Sequence, residues 1–319
     1  MGSVMPKNLI PIADAHCDFL YHMAFSERNI DAPIQKDHHI TKKGLLTGGY
    51  AVQVFAIWVD VSRKSFYEDA SKMADSFKIM VENTPEIIHI KKPKDFELLK
   101  TGENVGAILS VEGLGEAIDG DLSKIKEFYD KGARIMSFTW NNENELGYGA
   151  WCDENTGLKE KGIQAIKILN DLNVAIDVSH INTKGFWDIV EYSKSPIIAT
   201  HSNVHSLFTS RRNLYDDQIQ AIIDMKGYIG VSYYPPFLGK RFVNVKTVVQ
   251  NIDFIASLGG IDCVGLGSDF DGMLKTPSGL SGSQNAQAIP NELARLNYSE
   301  EQIKKICSLN FINYIVNFL

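Results

Sequence analysis

Three histidines and a set of carboxylates recur at the ends of short apolar runs that lie far apart in the chain. "ADAHCDF" at 13–19 carries His16 and Asp18, "SVEG" carries Glu112, "DVSH" and "ATHS" carry His180 and His201, and "GSDFDG" carries Asp269 and Asp271. Imidazole and carboxylate together suit Zn²⁺ or a similar first-row ion better than Mg²⁺, which favours all-oxygen shells. His16 and Asp18 stand at i and i+2, a spacing that turns both side chains to one side of an extended strand end. His180 and His201 close successive runs; as neighbouring strands these lie roughly 5 Å apart, close enough to share an ion. Glu112 is the carboxylate placed to bridge two ions roughly 3.5–4 Å apart, a pair that activates a water and polarises a carbonyl. Each residue alone has an ordinary reading: a helix cap for Glu112, a polar loop start for His16 and Asp18, a backbone hydrogen bond for Asp269. The coincidence of five or six at matching positions points to a site.

Something must bring these strand ends together. Eight near-continuous apolar runs, at 9–16, 50–59, 105–112, 133–140, 173–180, 195–202, 227–234 and 263–270, lack strict polar alternation, as parallel strands covered on both faces do. Amphipathic helices fill the intervals. Residues 120–132 place Leu122, Ile125 and Phe128 on one face before Gly132, residues 244–260 repeat the pattern, and Ser299 with Gln302 forms a capping-box pair. Alternation of eight such units predicts an α/β fold of the closed (β/α)8 TIM-barrel type, whose catalytic side chains project from the C-terminal strand ends. Trp140 and either Tyr233 or Tyr234 join the same rim. The expectation is one barrel domain over 1–319, with an elaborated connection at about 60–104 and a Gly- and aromatic-rich loop at 146–157 that would cover the site. The apolar C-terminus, broken by Asn310, Asn313 and Asn317, reads as a packed terminal helix.

Composition excludes some partners. The 319 residues are 44% hydrophobic and 22% charged, ordinary for a globular chain with a sizeable core, and carry a net charge of −7. That balance argues against nucleic acid and against an anionic membrane surface. Residues 1–16 lack a secretory leader pattern, and the four cysteines show no C-x-x-C spacing, so a cytoplasmic location is expected. Cys17 alternates away from His16 and reads as packed behind the strand. His38 and His39 read as solvated loop residues and His89 as structural. Asp14, Asp177 and Ser179 read as braces for ligating imidazoles, and His22 and His205 as weaker candidates for that role.

The ordered set "AHCD", "SVEG", "DVSH", "ATHSN", "SRRN" and "GSDFDG" resembles the membrane (renal-type) dipeptidase family, the M19 metallopeptidases, from residue 9 to the terminal helix. The resemblance implies a dipeptide substrate, a metal-bridging hydroxide as nucleophile, and two Zn²⁺ ions. His16 and Asp18 would hold one ion, His180 and His201 the other, and Glu112 would bridge them. It implies that Asp269 is the catalytic carboxylate and Arg212 the guanidinium that receives the substrate carboxylate, with Tyr234 assisting. It also suggests acceptance of D-residues at the C-terminal position, and a homodimer. One position departs from the family. Animal members end strand four in a histidine that contacts the scissile carbonyl or the tetrahedral intermediate, whereas "SFTWNN" places Trp140 there, with Asn141 as a substitute contact. Hydrolysis of lactones or N-acyl amino acids on the same metal pair, or peptide capture with little turnover, are the alternative readings.

Overall fold

The eight apolar runs become eight strands of one closed parallel sheet in the computed structural model, which describes residues 9–35, 37–101 and 103–319. Residues 1–8, half of the segment on which the leader expectation rests, lie outside them. The strands are β1 (Ile12–Asp14), β2 (Tyr50–Trp58), β3 (Ile87–His89), β4 (Val105–Glu112), β5 (Ala133–Ser137), β6 (Ala175–Asp177), β7 (Ile198–Ala199), β8 (Tyr228–Val231) and β9 (Val264–Leu266). The ring runs β1–β2–β4–β5–β6–β7–β8–β9 and closes where Asp14 pairs with Leu266.

Strand β3 is the extra one. It pairs with Val105–Ala107 at the foot of β4, on the edge that β5 takes over at Leu109–Val111. Its sequence, "IIH", is too short to show a period of two, so the connection at 60–104 hides a strand as well as the helix Phe66–Asn83. That helix buries Ala70, Met73, Ala74, Phe77 and Met80 at i, i+3, i+4, i+7 spacing, and Glu68 and Asp69 in its first turn complement its dipole. The other helix signals hold as well. Asn244 and Thr247 box the start of Val245–Ser257, which stops before Gly259 at φ +95°, and Ser299 and Gln302 exchange their side-chain and backbone bonds.

The barrel interior changes character with height. At the N-terminal end it is filled by Ala13, Val52, Ile108, Ile135, Ala175, Ile198 and Tyr228, and the terminal helix Asn310–Ile315 closes that end with Phe311, Tyr314 and Ile315. Two residues further along, the same inward face of β4, β5, β6 and β7 turns polar. Ile108 leads to Ser110 and Glu112, Ala175 to Asp177, and Ile198 to Thr200. The apolar floor therefore forces the functional groups to the C-terminal rim. No helix among the described residues is long and apolar enough to cross a membrane.

Candidate metal centre and active site

The five expected ligands meet on that rim, all of them buried. Glu112 sits at the centre and its two oxygens face different partners. Oε2 lies 3.3 Å from His16 Nε2, while Oε1 lies 2.7 Å from His180 Nε2 and 3.6 Å from His201 Nε2. Asp18 Oδ1 is 3.7 Å from His16 Nε2, and neither atom has a hydrogen-bond partner. His16, Asp18 and Glu112 form one group able to hold a cation, and Glu112, His180 and His201 form another. Asp269 joins His16 and His201 in a third overlapping group.

The protonation of the two later histidines follows from what holds their far sides. Thr200 donates its hydroxyl to Asp177 Oδ2 at 2.6 Å, so its oxygen accepts from His201 Nδ1–H at 2.9 Å. Asp177 is itself fixed by the backbone N–H groups of Ser179 and Thr200. Asn141 Oδ1 accepts from His180 Nδ1–H at 2.9 Å. Both imidazoles therefore present bare Nε2 lone pairs, and these lie only 2.7 Å apart beside a carboxylate oxygen. Burial, then Arg212, pushes the His180 pKa down to about 4, and burial, then His16, lowers that of His201, so both rings are neutral. Electron pairs facing each other at this distance repel unless a cation lies between them. The residues fit a metal.

The remaining charges balance around Glu112. Burial opposes its ionisation, yet the neighbouring His16 holds its carboxyl well below the usual range. Burial likewise opposes charging His16, but Glu112 and Asp18 raise its pKa well above the ordinary imidazole value. Asp269 goes the other way: burial, then the neighbouring Asp18 carboxylate, lifts it well above the usual carboxylate range. Gly272 makes the approach of these two acids feasible, because a Cβ there would collide with both Asp18 Oδ2 and Asp269 Oδ1. His180, Asp269 and Asp271 have φ of +70°, +64° and +68°, left-handed conformations that cost each non-glycine residue about 1–3 kcal/mol and concentrate at functional sites.

A cavity of about 900 Å³ opens over this cluster. Asp18, Glu112, His180 and Asp269 line its floor, and Trp140, Asn141 and Tyr234 line its wall. Tyr233 is not an alternative to Tyr234, since it is buried edge-on against Phe270. Arg212 sits behind the wall, 5.2 Å from the Phe237 ring, with one Nη2–H donated to the His201 carbonyl and a buried Nε–H left without a partner. Burial lowers its pKa to about 10, against the pull of Asp269 and Glu112, so it stays charged.

Several expectations need correction. His39 is not solvated: it is buried, its N–H donates to Asp271 Oδ1, and its Nδ1 accepts from the Asp271 N–H. His38 lines the cavity with Nδ1 buried. Asp14 braces backbone rather than an imidazole, accepting from the N–H groups of His16 and Ser268. His205 stacks on Tyr215 at 4.3 Å, away from the ligands. The loop 146–157 does not cover the cavity. It packs behind the ligands, with Ala150 N donating to the His180 carbonyl and Trp151 N to the Asn141 carbonyl. Residues 26–29, 32 and 272–274 line the cavity instead. Sequence reasoning missed Tyr21, Trp58, Arg28 and Thr200. Of these only Thr200 carried a local signal, next to the ligand His201 on the inward face.

Comparison with known proteins agrees with this geometry. The family model for membrane dipeptidase, peptidase family M19, matches residues 6–316. An uncharacterized protein from the pqqA 5′ region of Klebsiella pneumoniae is 35% identical over 234 residues, covering 70% of this chain and 86% of that one. An uncharacterized dipeptidase of Schizosaccharomyces pombe is 26% identical over 332 residues, covering 94% and 79%. A metallo peptidase from Rhodobacter sphaeroides, solved with a phosphinate mimic of the dipeptide L-Ala-D-Ala, superposes with a TM-score of 0.89 at 25% identity, covering 98% of this chain and 100% of that one. With the match running nearly from end to end, the chain belongs to the membrane dipeptidase family, peptidase family M19.

Proposed function

We propose that this single-barrel chain is a zinc-dependent dipeptidase holding two ions, one on His16 and Asp18 and one on His180 and His201, with Glu112 shared between them. The observation that carries this reading is the pair of bare Nε2 lone pairs of His180 and His201, held 2.7 Å apart by Asn141 and Thr200. Bound there, such ions supply a nucleophilic water at neutral pH and polarise the scissile carbonyl.

The chain's own residues do the rest. Asp269, its carboxyl lifted above the usual range by burial and by Asp18, receives the proton of the attacking water and delivers it to the leaving amine. Arg212, with its unpartnered Nε–H, receives the free carboxylate of the substrate and limits its length at that end. Tyr234 and Trp140 bound the space in which the peptide sits. Asn141 orients His180 through its Oδ1, and its amide NH2, on the cavity wall, is the substitute contact to the reacting carbonyl. A D-residue at the C-terminal position, a cytoplasmic location without membrane or nucleic-acid partners, and a homodimer complete the reading. The ligand of the Rhodobacter sphaeroides relative, a mimic of L-Ala-D-Ala, supports the first of these.

The test is turnover of L-Ala-L-Ala and L-Ala-D-Ala by zinc-loaded protein beside Asp269→Asn. Cleavage of both, with kcat lower by roughly 10²–10⁴ in the variant, is expected. Cleavage of esters or N-acyl amino acids with none of dipeptides would overturn the substrate assignment.

A further inference from the structure

The cavity is larger than two small residues need. Its volume of about 900 Å³ sits near the top of the roughly 300–1,000 Å³ range that encloses drug-sized ligands. One side of it is aromatic. Trp58, the last residue of β2, meets Trp140 edge-on at 5.4 Å, and Tyr21 meets Trp58 at 5.2 Å. All three line the cavity and are only half-buried, so ring surface remains open to a ligand. The indole N–H of Trp58 is buried without a partner. Trp140 stands 6.2 Å from the His180 ring, so this wall begins beside the metal ligands.

The ring order gives the wall an orientation. Trp58 ends β2 and Trp140 follows β5, and these two strands flank β4 and its Glu112. Arg212 follows β7 and packs on Phe237, which follows β8. In an eight-stranded ring β2 stands opposite β7, and β4 opposite β8. A dipeptide whose carboxylate reaches Arg212 and whose peptide bond lies over Glu112 must therefore turn its amino-terminal residue toward Trp58 and Trp140.

We infer that Tyr21, Trp58 and Trp140 are specificity-determining residues that receive the side chain of the amino-terminal residue, selecting dipeptides with a large apolar or aromatic group there. The inference rests on the dipeptidase reading and deepens it. Offset and edge-to-face ring contacts add to the burial of the side chain itself, and one side chain seated in such a pocket is worth roughly 10–100-fold in kcat/KM. Trp140 thus exchanges a polar contact at the carbonyl for apolar surface along the wall.

The experiment compares phenylalanyl-alanine, alanyl-phenylalanine and alanyl-alanine on zinc-loaded wild type, Trp58→Ala and Trp140→Ala. Wild type is expected to favour phenylalanyl-alanine over alanyl-alanine by roughly 10–100-fold, and each alanine variant to collapse that ratio, chiefly through KM. Trp58→Phe and Trp140→Phe, which retain a ring, are expected to keep most of it. An unchanged ratio in the alanine variants, or a tryptophan-dependent preference for alanyl-phenylalanine instead, overturns the assignment. Calorimetric binding of the same three dipeptides to Asp269→Asn separates the two readings. Tryptophan-dependent tight binding of phenylalanyl-alanine without turnover by wild type retires the hydrolase and keeps the wall. Equal binding of phenylalanyl-alanine and alanyl-alanine retires the wall.

Discussion

Replacing Arg28 by methionine should destabilise the protein through a residue outside the candidate metal-binding cluster. Arg28 and Asp271 form an ion pair at 3.0 Å with both side chains buried, and Arg28 also donates to the Ile40 carbonyl at 3.2 Å. Asp271 lies two residues beyond Asp269, and the segment 22–40 clamps it through three further bonds: the His39 N–H to its carboxylate, its own N–H to His39 Nδ1, and the His22 imidazole to its carbonyl. Breaking a buried pair by removing one partner costs about 3–5 kcal/mol, because a charge is left uncompensated. The surviving His39 N–H recovers about 1 kcal/mol of this, leaving about 2–4 kcal/mol. An unfolding entropy of roughly 2.1 cal/mol/K per residue gives about 0.67 kcal/mol/K for 319 residues, so Tm should fall by about 3–6 °C. Scanning calorimetry at fixed metal concentration reads the shift. The double variant Arg28→Met/Asp271→Asn buries no unpaired charge and should recover at least half of the loss, a coupling that a double-mutant cycle isolates. A fall of under 1 °C in the single variant, or strictly additive losses in the double, would refute the reasoning.

Other consequences follow from single contacts. His89 has its pKa lowered to about 4 by burial, then by Lys91 and Arg134. The unfolded chain accepts a proton below about pH 6.5 that the folded one declines, so stability is full above that pH and falls by about 3 kcal/mol as pH drops toward 4. His89→Gln should flatten the Tm-against-pH profile over that window, and parallel profiles would contradict this. Asn141→Ala removes the acceptor that fixes the His180 tautomer and should weaken metal binding about 10–100-fold in a chelator competition, while Asn141→Asp, which keeps an acceptor oxygen, loses less. Equal affinities in all three proteins would show that the contact does not orient the ligand. Gly272→Ala places a methyl between Asp18 and Asp269 and should abolish turnover at nearly normal Tm, so an active Gly272→Ala enzyme would mean that the two acids need not approach.

The barrel and its candidate metal-binding cluster were legible because both are written in short local patterns. Each of the eight ring strands lies in an apolar run, and each candidate ligand sits near the end of one, so the strands and the cluster they carry could be read without long-range information. Strand β3 failed that test, with only three residues beside the foot of β4. His39 was misread for a different reason: its loop is charged, and only its contact with Asp271, far along the chain, buries it. The aromatic wall was equally invisible, since Tyr21, Trp58 and Trp140 come from three separate units and meet only on the closed rim. Trp140 did announce itself as a break in the family pattern. The structure adds that its neighbour Asn141 is engaged by His180.

The most direct measurement of the central claim is metal stoichiometry joined to activity. Chelator-treated protein, titrated with Zn²⁺ and followed by elemental analysis and L-Ala-L-Ala hydrolysis, should regain full activity at two equivalents per chain. Glu112→Gln, which weakens the carboxylate facing both histidine groups, should hold fewer and stay inactive. Full activity at one equivalent or none would contradict the shared role of Glu112 and the two-ion centre built on it.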